Sequence, residues 1–188
     1  MNNRQTILTC ALELFASNGY DDTGIQEIVD AAGITKPTLY YYFGSKRGLL
    51  DCLLEEHFKQ LNAAIKTASV YHADLTATLD RVAEAYFRFA RENQKWYRMQ
   101  LSMWFAPEGS ESYQAVAILN VEHYQILENL FLQAAHDHGN MKDRQRAYAA
   151  TLLGMLNTYI GMAFNGYVEL NDSLRRQAVH QFMHGIFS

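Results

Sequence analysis

Three consecutive tyrosines, Tyr40, Tyr41 and Tyr42, lie one helical turn after Lys36 and just before Lys46 and Arg47. Phenol hydroxyls donate to phosphate oxygens, and their rings pack against sugars. Cations at a helix start sit where free N–H groups already attract anions. From Ile34 to Leu50 the chain carries three cations, Lys36, Lys46 and Arg47, and no acid. This is the chemistry of a polyanion-binding face. A helical hairpin that buries its tyrosines has the same spacing, so the residues alone leave both readings open.

Such a face needs rigid support, and the preceding residues supply a pattern for it. Ile7, Leu8, Ala11, Leu12, Leu14 and Phe15 recur at helical spacing and stop at Asn18-Gly19. Thr23 can cap a second helix that buries Ile25, Ile28, Val29 and Ala32. A third helix begins around Thr35, takes Pro37 in its first turn, buries Leu39 and Phe43, and closes at Gly44. The joint Ala32-Gly33-Ile34 permits a sharp turn. A bracing helix, a glycine turn and an outward polar helix are what a helix–turn–helix requires. Ser45 can then cap a long fourth helix, to about Thr67, with Leu49, Leu50, Leu53, Leu54, Phe58, Leu61 and Ile65 along one face.

The remainder also reads as helices. The pattern predicts them over Leu75–Asn93, Trp96–Phe105, Glu111–His138 (stopping at Gly139-Asn140), Asp143–Tyr167 and Asp172–Phe187, with a loop at Pro107-Glu108-Gly109-Ser110. The expected fold is all-α, about nine helices: an N-terminal three-helix domain over 1–47 and a larger helical domain over 48–188. Composition agrees. Hydrophobic residues are 49% and charged residues 19%, enough for a core, while 2 prolines and 11 glycines leave room for long helices. The net charge of −4 excludes a uniformly basic nucleic-acid binder but not a local basic face. Cys10 and Cys52 lack the spacing of a disulfide framework or a zinc site. No apolar run is long enough for a signal peptide or a membrane span, so no membrane partner and a cytoplasmic location are expected.

The stretch T-G-I-Q-E-I-V-D-A-A-G-I-T-K-P-T-L-Y-Y-Y-F-G-S-K-R-G-L-L resembles the DNA-binding domain of the TetR/AcrR transcriptional regulators. The resemblance covers residues 3 to about 55 and includes A-L-E-L-F-A-S-N-G-Y. It implies a ligand-responsive regulator, most simply a repressor, that binds a palindromic operator as a homodimer. It places Thr23 and Gly24 where backbone and hydroxyl meet phosphate, and Gln26 near a base edge. It turns Lys36, Pro37, Thr38 and Tyr41 toward the groove, with Thr35 at the start of that helix. It puts Tyr40, Tyr42 and Lys46 on phosphates. Two positions depart from the family pattern. Gly24 has no hydroxyl, and Gln26 stands where arginine is frequent, so adenine suits it better than guanine.

The rest of the chain matches the family only in length and helical pattern. Ala147, Ala150, Thr151, Gly154, Thr158, Gly161 and Asn165 form a row of small side chains, and Leu174, Ala178, Phe182 and Gly185 with Ile186 form a second stripe. With the resemblance, Ala150, Gly154, Thr158, Gly161, Ala178 and Phe182 are the expected dimer interface. Trp96, Met99, Met103, Trp104, Tyr124, Met155 and Tyr159 are the expected lining of a site for an apolar or aromatic small molecule. His180 and His184 are four apart, but no acid or cysteine lies near them in sequence, so surface or interface imidazoles are expected and no metal or cofactor. The alternatives are an all-α enzyme, for which no G-x-S-x-G, HExxH or P-loop is present, and a regulator-like protein that acts through protein partners.

Overall fold

A computed structural model describes residues 2–185 of the 188-residue chain. Among them are nine α-helices and no strand: α1 (Asn3–Asn18), α2 (Ile25–Ala32), α3 (Lys36–Phe43), α4 (Lys46–Ala68), α5 (Leu75–Glu92), α6 (Gln94–Trp104), α7 (Glu111–Ala134), α8 (Gln145–Phe164) and α9 (Asp172–His184). They form two compact units. The first is Met1–Phe58 with Lys95–Leu119, and the second is Lys59–Gln94 with Asn120–Ser188.

The first unit is organised by short helices with one strongly apolar face each. Ile7, Leu8, Ala11 and Phe15 of α1, Ile28 and Val29 of α2, and Leu39 and Phe43 of α3 are buried. Leu49, Leu50, Leu53 and Leu54 of α4 and Trp96, Tyr97, Met99 and Met103 of α6 are buried as well. Each of the Leu, Ile, Val, Phe and Met side chains contributes roughly 1.5–3 kcal/mol when fully removed from water. Two glycines shape the hairpins. Gly33 ends α2 in the left-handed region, φ 64°, where its N–H and that of Ile34 bond Asp30 and Val29 carbonyls. At Gly48 a Cβ would collide with the Phe43 carbonyl, so only glycine lets α4 start so close to the end of α3. Ser45 Oγ accepts from the Gly48 N–H at 2.9 Å, as expected of a cap.

The second unit is built on α5. Ten of its 18 residues are buried, and it packs against both α8 and α9. Arg175 of α9 joins it there by bonding Asp80 at 2.9 Å and Glu84 at 2.7 Å. A buried polar chain crosses the same unit: His123 Nδ1 lies 2.7 Å from Asn62 Oδ1 and its Nε2 lies 2.5 Å from the Tyr86 hydroxyl. The amide oxygen can only accept, so Nδ1 donates and Nε2 accepts from the phenol. Burial pushes the His123 pKa down to about 4, which keeps this ring neutral.

Three helix ends differ from the sequence pattern. α7 stops at Ala134, where its apolar stripe ends, and the N–H groups of His136 and Asp137 bond carbonyls three residues back before a single 3-10 turn at Gly139–Met141. α8 starts at Gln145 because Asp143 takes φ 63°, outside the helical region. It ends at Phe164 because Gly166 N–H bonds Ala163 and Tyr167 N–H bonds Met162, a double-bonded helix stop. The expected end of α9, with Ile186, lies outside the described residues.

Candidate nucleic-acid interface

α3 presents its polar aromatic side outward. Leu39 is 0% and Phe43 8% exposed, whereas Tyr41 is 83% and Tyr40 44% exposed. Tyr42 is half-buried, and its ring meets that of Tyr41 edge-on at 5.2 Å. Thr35, Lys36 and Pro37 are exposed on the first turn. Thr35 Oγ1 and Thr38 Oγ1 are 3.0 Å apart, so each holds the other's rotamer at the helix tip. Lys36 forms no ion pair among the described residues and is free to meet an anion. A helix that buries one edge and extends phenols, hydroxyls and a lysine from the other suits insertion into a major groove.

The support of this helix assigns some residues differently from the sequence expectation. Thr23 does not cap α2. It is 1% exposed, and its hydroxyl donates to the Gly19 carbonyl at 2.7 Å. Its hydroxyl is therefore not available to phosphate, and its role is to close the α1–α2 loop. The N-cap of α2 is Gly24, whose N–H donates to Glu27 Oε2 at 3.3 Å. Gln26 is exposed, but its Nε2 donates to Asp30 Oδ1 at 2.7 Å and must leave that bond to reach a base. Lys46 is half-buried, with Nζ 4.2 Å above the Tyr20 ring. Arg47 is paired with Asp51 at 2.7 Å.

Other residues in this unit carried no sequence signal. Arg4 lies 5.7 Å from the Phe43 ring centroid and pairs with Glu56 at 2.7 Å, so a cation from α1 stands at the end of α3. Two polar straps tie α6 and α7 to α1 and the loop that follows it. Lys95 pairs with Glu13 at 2.5 Å, and the Tyr20 hydroxyl donates to Glu111 at 2.7 Å. Burial and the Glu111 carboxylate hold the Tyr20 phenol well above its usual pKa. His57 of α4 stacks on Trp96 of α6 at 5.2 Å, and burial holds its pKa below the ordinary imidazole value.

The expected effector residues divide between the two units. Trp96, Met99 and Met103 are buried and Trp104 half-buried in the first, and Tyr124, Met155 and Tyr159 are half-buried in the second. A groove of about 610 Å³ in the second unit lies elsewhere, among Ala63, Thr67, Ala85, Arg81, Arg88 and Arg175. Of the expected interface residues, Ala150, Gly154 and Thr158 are exposed and Gly161 is half-buried, all on α8. Ala178 is fully buried, and Phe182 packs on Phe131 at 6.0 Å, both inside the second unit.

Residues 7–53 match the model of the bacterial regulatory proteins, tetR family. The chain is 29% identical over 152 residues to the HTH-type transcriptional activator FasR of Mycolicibacterium smegmatis, which covers 81% of this chain and 68% of that protein. The TetR family transcriptional regulator PfmR of Thermus thermophilus superposes with a TM-score of 0.75 at 26% identity, covering 97% of this chain and 99% of that one. The transcriptional regulator FadR of Bacillus subtilis, solved in complex with stearoyl-CoA, shares the fold at a TM-score of 0.81 and 20% identity, over 97% of this chain and 98% of that one. The matched segment is the one that positions the exposed face of α3, and residues 7–53 are similar to the DNA-binding region of the bacterial regulatory proteins, tetR family.

Proposed function

We propose that this regulator is a cytoplasmic repressor that binds a palindromic operator as a homodimer and leaves it when an apolar effector binds. The observation that carries this reading is α3: a helix anchored by Leu39 and Phe43 that extends Tyr41, Tyr40 and Lys36 into solvent, with Thr38 half-buried beside them. Lys36, Pro37, Thr38 and Tyr41 read the groove. Tyr40 and Tyr42 hold phosphates on its walls, and Lys46 joins them by leaving the Tyr20 ring. The first-turn N–H groups of α2 meet a further phosphate beside Gly24.

One reading head of this size binds weakly, so two are needed, about 34–36 Å apart or a multiple of that. The self-association face is the exposed row Ala150, Gly154, Thr158 and Gly161 of α8, with the outward residues His180, Gln181 and His184 of α9 beside it. Small side chains let two such helices approach closely. Ala178 supports this face from within.

The effector acts on α6. Trp96, Met99 and Met103 belong to the same compact unit as the head, and Glu13–Lys95 and Tyr20–Glu111 join α6 and α7 to α1 and its loop. A ligand that displaces α6 pulls the head through these straps and through α4. A coupling of about 1–3 kcal/mol is enough to lower operator affinity five- to 150-fold. Long-chain acyl thioesters are the first class to test, since FadR of Bacillus subtilis binds stearoyl-CoA.

Fluorescence anisotropy with the DNA upstream of the protein's own gene tests the first part. Tight binding that falls steeply with salt is expected; indifference to DNA would remove the reading. Both tryptophans of the chain, Trp96 and Trp104, are on α6. Their emission reports effector binding, and an effector that shifts it should release the DNA and raise a reporter's expression. A ligand that tightens DNA binding would overturn the direction of the response.

A further inference from the structure

His180 and His184 lie one turn apart on α9, and both are exposed. Their ring centroids are 4.6 Å apart at an interplanar angle of 42°. The two rings lie side by side on the exposed side of α9. Histidines at i and i+4 are the spacing with which a helix offers two nitrogens to one transition-metal ion. The turn beneath them is anchored, because Gln181 Oε1 accepts from the Tyr159 hydroxyl of α8 at 3.2 Å.

Among the described residues, one chain supplies only these two donors there. No group of three or more histidine, cysteine or acidic side chains among the described residues could hold an ion. Tetrahedral coordination needs four ligands at about 2.0–2.1 Å from nitrogen. The pair lies on the face assigned above to self-association, and a two-fold interface brings a patch against its own copy. We infer that His180 and His184 form half of a divalent transition-metal site, completed by the same pair of a second copy. This rests on the reading of the α8–α9 face as the dimer interface. Imidazole ligands select zinc, nickel or copper over magnesium and calcium, which prefer oxygen. The ion clamps the two chains together, so metal supply adjusts how much dimer is present to bind an operator.

The test uses the full chain without a histidine tag, stripped with a chelator. Zinc or magnesium is titrated calorimetrically, and self-association is followed by sedimentation with and without each ion. One zinc per two chains is expected, with the dimer dissociation constant lowered about tenfold or more by zinc and unchanged by magnesium. Both the zinc binding and the zinc-dependent gain in dimer should vanish in His180→Ala and in His184→Ala. One zinc per chain, equal dimerisation with and without zinc, or undiminished binding in both variants would overturn the bridge and leave the interface reading intact. A chain that stays monomeric with and without zinc would overturn both.

Discussion

α3 and α8 each expose a face, yet the two faces have opposite character. On α3 the outward residues are large and polar-tipped, Tyr41 at 83% exposure above all. On α8 they are small: Ala150, Thr151, Gly154 and Thr158. Long side chains with terminal donors reach across a gap and sort contacts by hydrogen bond, which suits a charged, grooved polymer. Small side chains leave no gap and suit a second rigid helix. Exposure alone therefore says little about a partner; the length and chemistry of what is exposed say more. In the proposed dimer the two faces also depend on each other, because one reading head alone cannot supply the affinity that a joined pair can.

Four experiments probe the two faces and the units that carry them. Gly154→Arg sets a long cation into the small face, so the expected loss is that of a linked second head, roughly 10²–10⁴-fold in operator affinity, with a monomer in sedimentation. A dimer of unchanged operator affinity would move the interface elsewhere.

Acid tests the second unit. His123 has its pKa lowered to about 4 from 6.5, so between those values the unfolded chain holds a proton that the folded chain refuses. Stability therefore falls as pH drops through that window, by about 3 kcal/mol across all of it, and is flat above it. His57, in the first unit, is shifted the same way, so a His123→Gln variant isolates the second unit's share. Denaturant melts from pH 7 to 4 should show a shallower decline in that variant; parallel declines would mean that His123 is not held neutral.

Tyr42→Phe deletes one phosphate donor on the head. A loss of about 1 kcal/mol, near fivefold, is expected on every duplex alike. A loss confined to one sequence would make Tyr42 a base reader instead. The smallest effect is the most selective one. Lys36→Ala and Thr38→Ala should change which operator bases are tolerated in a binding-site selection, with little change on nonspecific DNA. Identical base profiles would take both residues off the reading surface.

Much of the head was legible because burial at helical spacing leaves a local mark. Ile7, Leu8, Ala11 and Phe15, then Ile28 and Val29, then Leu39 and Phe43 are all buried as their intervals predict. What escaped depends on residues far apart in sequence. Thr23 looked like a cap, but its hydroxyl is taken by Gly19 across the loop. Lys46 is expected on a phosphate, but its ammonium lies over the Tyr20 ring. Gly48 carried no signal, since its need arises from one carbonyl of the preceding helix. In the body, small-residue spacing marked a stripe on α9 without saying which side of the helix faces the interior, and Ala178 lies inside. Helix ends at Asp143 and Gly166 are set by backbone angles that residue type only loosely encodes.

In the proposed complex, two copies of α3 enter successive major grooves of one duplex. Sedimentation of a palindromic operator fragment at saturating protein, combined with footprinting, tests it most directly. The expected result is two chains per duplex, protecting two patches on one face of the DNA about one helical turn or a multiple apart. A saturated complex with a single chain, or protection that Tyr41→Ala and Lys36→Ala together leave unchanged, would contradict it.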